Sequence, residues 1–191
     1  KYQEALKQLV ADNYKFDKKL AVDMKDQGLE LVPHIKSELK KYFGEYSVIC
    51  TEEKLFEDTE IDGYKFKGYV DLVLKTKDDK YHIIDWKTCS WGWGSRRKAD
   101  KMTTYQLTYY KHYFAKKYDL NLDNVETHFA LLKRTAKKNK VELFKVASGK
   151  KKIQNALNFL KKALYNINNK NHIKNKMSCN YCEFYKTVHC P

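Results

Sequence analysis

The spacing of apolar positions changes period along the chain. From Tyr2 to about Leu31 it is helical, with Leu6, Leu9 and Val10 followed by Leu20, Val22 and Met24. Gly28 and Pro33 interrupt that run. Pro33 suits the first position of a new helix reaching about Tyr42, with Gly44 as its stop. The period then drops to two. Tyr46–Phe56, Lys65–Lys75 and Tyr81–Thr88 read as strands, the first two joined through Asp62-Gly63, a hairpin signal. Cys89 to Arg97, broken by glycine and serine, reads as a loop. A helix over about Asp100–Lys117 follows, then strands over Val125–Lys133 and Val141–Val146. A last helix from Lys151 to about Ile167 carries Ile153, Leu157, Leu160 and Leu164 on one stripe. This order predicts an α/β fold with an early antiparallel meander, a central mixed sheet and flanking helices, and not a Rossmann alternation.

Composition narrows the class. Hydrophobic residues make up 42% of the 191, enough for a core, and no stretch of about 18 apolar residues exists to span a membrane. With two prolines and no repeat, the chain reads as one domain over 1–175 and a short cysteine-rich tail over 176–191. A chain that begins at Lys1 reads as processed or excised. The net charge of +14 favours a polyanion, and nucleic acid is the commonest one; the basic pairs are dispersed, as on a broad binding surface. Five cysteines at uneven spacing argue against a disulfide framework. Cys179, Cys182 and Cys190 crowd into the tail instead, as metal ligands in a reducing cytoplasm would.

The chemistry lies in the meander. Gly68-Tyr69-Val70-Asp71-Leu72-Val73-Leu74 sets an acid in the middle of an apolar strand, and both faces read as buried, Asp71 included. A buried carboxylate is unfavourable unless a cation or donors hold it. The next strand, Ile83-Ile84-Asp85-Trp86-Lys87-Thr88, repeats the feature. Alternation puts Asp85 and Lys87 on one face, roughly 7 Å apart. A plain ion pair needs one acid, not two. Two carboxylates suit a hard dication, Mg²⁺ or Mn²⁺, which polarises a phosphoryl oxygen and lowers the pKa of bound water. Lys87 would then orient that water or stabilise charge on phosphorus.

Asp71, with Asp85 fourteen positions on and Lys87 two beyond, resembles the core of the PD-(D/E)XK nuclease superfamily, and GYVDLVL followed by IIDWKT looks like its RecB-type branch. The resemblance implies a restriction-endonuclease-like core in which the Trp86 carbonyl also binds metal. It also implies a helical Gln-x-x-x-Tyr pair lining the substrate path, here Gln106 and Tyr110, which share a helix face. A further ligand is expected from the helix before the meander: His34, with Glu30, Glu52 and Glu53 as rivals.

The loop Ser90–Arg97 offers Trp91 and Trp93 for base stacking and Arg96 and Arg97 for phosphates, or else caps the core with its tryptophans. The tail resembles the cysteine cluster of iron–sulfur nucleases in this branch. It implies a [4Fe–4S] cluster completed by Cys50, Cys89 or an upstream ligand, or a Zn²⁺ site completed by His189. The implied activity is DNA cleavage, more as an exonuclease on single strands or processed duplex ends than as a restriction enzyme. It belongs in recombination, repair or phage replication in a bacterial cytoplasm, with a helicase or recombination partner. The alternatives are a CRISPR-adaptation type of iron–sulfur nuclease and a catalytically idle DNA-binding module.

Overall fold

The computed structural model describes residues 2–61, 63–173, 179, 182–188 and 190. The chain divides into two compact units, Lys1–Ala156 and Leu157–Pro191. In the first unit, α1 (Tyr2–Ala11) and α2 (Lys18–Phe43) precede β1 (Tyr46–Asp58), β2 (Lys65–Thr76) and β3 (Tyr81–Cys89). Then come a short α3 (Ser95–Ala99), α4 (Lys101–Lys117), β4 (Val125–Lys133), β5 (Val141–Val146) and the start of α5 (Lys150–Asn168). The rest of α5 and the tail form the second unit. No helix among the described residues is long and apolar enough to cross a membrane.

The five strands form one sheet in the order β1-β2-β3-β4-β5. The first three are an antiparallel meander, β3 and β4 run parallel, and β5 returns antiparallel to β4. This is the expected mixed sheet, with α4 as the crossover that a parallel pair requires. One sheet face presents Leu72, Leu74, Ile84 and Ala130 to Leu39, Ile35 and Phe43 of α2. The other presents Val73, Ile83, Phe129 and Leu131 to Leu107, Tyr113 and Phe114 of α4.

The helix boundary near the N-terminus differs from the expectation. The chain breaks between Ala11 and Lys18, while Gly28 and Pro33 both lie inside α2. The break is local chemistry: Asn13 takes φ +53°, and the Asp17 carboxylate caps the new helix by accepting the Leu20 N–H at 3.0 Å. Pro33 is tolerated because the carbonyl it leaves without a helical donor is that of Leu29, whose side chain is 63% exposed, so water can serve it. Gly44 ends α2 as expected, with φ +73°. In the β1–β2 turn Gly63 has φ +81°, while Asp62 lies outside the described residues.

Side-chain alternation slips once in β2. Leu72 and Leu74 face α2 and Val73 faces α4, yet Val70 and Phe66 also join the α4 cluster. The change of phase falls at Asp71. Opposite it, between the pairs Thr51↔Leu72 and Glu53↔Val70, sits Glu52 with φ +51°. A left-handed residue on one strand re-aims the side chains of both.

An unbroken α2 has a consequence for stability. Pro33→Ala should return a donor to the Leu29 carbonyl and stabilise the protein by about 1–3 kcal/mol in urea denaturation, since an interior proline lowers helix stability by about that much. Unchanged or lower stability would place a helix boundary at Pro33 after all.

Candidate active site

The pairing of β2 with β3 runs from Lys75↔Tyr81 to Leu72↔Ile84 and stops. The next residues on the two strands are Asp71 and Asp85. There β2 continues with β1 as a two-stranded arm, while β3 continues with β4 as far as Cys89↔Lys133. The acids therefore stand in the fork. Asp71 is half-buried, not fully buried as its apolar neighbours imply, because one side of its strand has lost its partner. Its Oδ2 accepts the Trp86 N–H at 2.7 Å, replacing the ladder bond that the fork removes.

Asp85 is 2% exposed. The Lys87 ammonium lies 2.6 Å from its Oδ2, so that buried oxygen has a close ionic partner. Burial pushes the Asp85 carboxyl above its ordinary range; Lys87 opposes this and the charge of Asp71 adds to it. Lys87 itself is half-exposed and lies over the Phe129 ring, on the α4 side of the sheet.

The structure brings the Gln-x-x-x-Tyr pair to the same place. Asp100 caps α4 by accepting the Thr103 N–H at 2.8 Å, which fixes where the helix starts. One turn on, Gln106 Nε2 donates to Tyr110 Oη at 3.1 Å. Burial raises the Tyr110 phenol, the Gln106 bond lowers it, Asp85 and Asp71 raise it and Lys87 lowers it, so the ring stands within reach of all three charges. Gly68 makes this possible: a Cβ there would lie 2.7 Å from the Tyr110 ring. That is the physical content of a glycine three residues before the acid.

The other candidates scatter. His34 is exposed on α2, and Glu30 is ion-paired to Lys140 at 2.6 Å. Glu53 accepts from Lys117 at 2.5 Å and Tyr118 at 2.6 Å, and these bonds hold its carboxyl below the ordinary range. Glu52 is exposed. None of them joins Asp71 and Asp85 in a group of ligand atoms within 4.8 Å of one another. The tryptophan loop divides. Trp93 is buried against Phe129 and Phe144, with Arg97 stacked on it at 4.5 Å, while Trp91 is 79% exposed. In the tail, the Cys182 N–H donates to the Cys179 carbonyl at 3.1 Å and Cys190 bridges Thr187. The three thiols are not gathered into such a group, and His189 lies outside the described residues.

The one such group among the described residues was not foreseen: His82, Glu126 and His128, on β3 and β4. Its trace in the sequence was a histidine inside each of two apolar strands.

These features agree with the comparisons. The family model of the PD-(D/E)XK nuclease superfamily matches residues 2–187, and the chain belongs to that superfamily. Among solved structures, a candidate exonuclease from Eubacterium rectale is similar at 15% identity and TM-score 0.55, over 100% of this chain and 72% of that one. The protein SSO0001 is similar at 18% identity and TM-score 0.50, over 100% and 78%. At such identities the likeness is one of fold. No curated protein matches the sequence.

Asp85 yields a test. Its folded carboxyl is harder to ionise than in the unfolded chain, so its contribution to stability falls as pH rises through the carboxylate range and levels off above its folded value. In chelator at neutral pH, Asp85→Asn should raise stability by about 1 kcal/mol, the scale of relieving a functional-site burden. Excess Mn²⁺ should stabilise the unsubstituted chain alone. A variant less stable than its parent in chelator would mean that Lys87 offsets the burial fully.

Proposed function

We propose that the protein is a metal-dependent deoxyribonuclease that hydrolyses phosphodiester bonds, working from DNA ends. The observation that carries this is the Asp85 carboxylate, 2% exposed with Lys87 at 2.6 Å, beside Asp71 in the fork of the sheet. Two carboxylates and the adjacent Trp86 carbonyl are hard oxygen donors of the kind that suit Mg²⁺ or Mn²⁺. His34, one turn from Glu30 on α2, is the proposed additional ligand. Bound there, such an ion supplies Lewis-acid polarisation of the phosphoryl group and a more acidic water.

The protein's own groups divide the remaining work. Asp85 and Asp71 provide the negative charge that collects the cation, and Lys87 lowers the penalty of holding them together. Lys87 also holds the attacking water or meets charge developing on the phosphate. Gln106 donates to the Tyr110 oxygen, which leaves the Tyr110 hydrogen free to donate to a phosphate oxygen. Its raised pKa keeps that proton in place at neutral pH. The +14 charge gives the long-range attraction for the DNA backbone. Exposed Trp91 offers a stacking surface for an unpaired base. The tail cysteines Cys179, Cys182 and Cys190 are proposed to hold zinc or an iron–sulfur cluster.

Cleavage of oligonucleotides labelled at either end, with Mn²⁺ present, tests the reading. Asp85→Ala and Lys87→Ala should each reduce turnover by at least about 100-fold, as loss of a group that stabilises the transition state does. DNA affinity should change little. Parental turnover by either variant would exclude these roles, and cleavage confined to internal sites would exclude end-directed action.

The tail has its own readout. Anaerobically purified full-length protein should contain iron with visible absorption, or about one zinc per chain, as a closed four-ligand site holds. Cys179→Ser, Cys182→Ser and Cys190→Ser together should remove the iron, or lower the zinc content by about one per chain. An unsubstituted chain with neither metal would reject a metal-holding tail.

A further inference from the structure

On the sheet face away from Asp85 and Lys87, the parallel strands β3 and β4 bring three potential ligands together. His82 pairs directly with Glu126, and His128 lies two residues further along β4. His82 and His128 are 7% and 2% exposed. The separations are 3.1 Å between His82 Nδ1 and His128 Nε2, and 3.8 Å and 3.9 Å from these atoms to Glu126 Oε2. A point equidistant from all three lies about 2.1 Å from each, the length of a zinc–imidazole or zinc–carboxylate bond.

We propose that His82, Glu126 and His128 form a second metal site, which takes a transition-metal dication of the zinc class and clamps β3 to β4. The donor set is two imidazoles and one carboxylate, which suits zinc and its neighbours and not Mg²⁺.

The surroundings are those of a supported site. His82 uses its other nitrogen, Nε2, to reach Thr76 Oγ1 at 3.0 Å, and that hydroxyl donates to Asp78 Oδ1 at 2.5 Å. A histidine ligand characteristically hands its second N–H to such a chain, which fixes the tautomer. Lys145 holds the other Glu126 oxygen, Oε1, at 2.7 Å and leaves Oε2 for the metal. His128 Nδ1 is buried without a hydrogen-bond partner, so the polar company of that ring is all on the Nε2 side. Phe43 and Tyr42 of α2 cover the His128 ring edge-on at 5.0 Å and 5.7 Å. Between them and Lys145 opens a cavity of about 500 Å³, which gives a cation a route in and room for a water as fourth ligand. In the metal-free form one proton lies between His82 Nδ1 and His128 Nε2. On binding, that proton moves to the other nitrogen of its ring and the net charge of the ring is unchanged.

The test uses the full chain with Cys179→Ser, Cys182→Ser and Cys190→Ser, in excess Mg²⁺ to occupy the catalytic carboxylates. Titrated with Zn²⁺, it should bind about one equivalent and gain thermal stability; with Co²⁺ it should show the visible bands of a site with fewer than six ligands. Glu126→Gln, which keeps the side-chain shape, should weaken zinc at least about 100-fold, and His82→Gln likewise; Thr76→Val should weaken it about 10-fold, as outer-shell changes do. Circular dichroism confirms that each variant is folded; should His82→Gln fail to fold, Glu126→Gln and the cobalt spectrum still decide. Absence of zinc binding at micromolar concentration, or equal affinity in Glu126→Gln and the parent, would overturn the proposal. Because the catalytic site is saturated with Mg²⁺ throughout, failure here leaves the nuclease reading untouched.

Discussion

β2 and β3 separate one residue past the Leu72–Ile84 pair, and the candidate active site is made by that separation. In a continuous antiparallel ladder, directly opposed residues sit about 4.5–5.5 Å apart with their backbone groups paired. Two carboxylates so placed would repel each other without room for a cation. Here the ladder ends first. Asp71 takes over one orphaned donor, the Trp86 N–H, and Asp85 stays on a strand that remains paired with β4 along its whole length. One acid therefore closes the fork and the other is held rigidly beside it. A raised Asp85 carboxyl is the physical result, with Lys87 compensating in part. The arrangement is unfavourable for the protein alone and becomes less so when positive charge is added.

Aromatic packing holds the β1–β2 arm against α4. Beyond Asp71 the arm lies along α4, with Phe66 stacked on Tyr113 at 4.2 Å and the Tyr110 ring over Gly68. The slip in alternation at Asp71, opposite left-handed Glu52, turns Phe66 and Val70 toward α4 while Leu72 and Leu74 stay with α2. One irregular residue pair thus lets a single strand serve both faces of the sheet. The same packing sets Tyr110 beside the acids, so α4 and the fork are one mechanical unit.

Much of this was legible in the sequence because the signals were local. Strand boundaries followed from period-two alternation, and the acids from the conflict between charge and apolar neighbours. The N-terminal break was misplaced because glycine and proline were weighed above the Asp17 cap, and an exposed helix face can absorb a proline. Asp71 was expected to be more buried, since sequence does not show where a ladder ends. The fates of Trp91 and Trp93 were undecidable for a similar reason: the contact that separates them, Trp93 against Phe129 and Phe144, joins residues far apart in sequence. His82 and His128 escaped notice because their relation depends on the register of β4 against β3.

That register also lets one strand serve both proposed sites. Along β3, Asp85 and Lys87 point to the α4 side while His82, Ile84 and Trp86 point to the α2 side. Side chains of opposite parity share a backbone but not a solvent, so a hard carboxylate pair and a softer imidazole group can sit three residues apart without mixing ligands. Rigidity is what they share. β3 is tied to β2 only from Tyr81 to Ile84, so the precision of Asp85 and Lys87 rests on its bond to β4. Catalytic groups must be held to fractions of an ångström. A cation bridging His82 on β3 to Glu126 and His128 on β4 would stiffen that junction at the strand's paired end, leaving the forked end open for substrate.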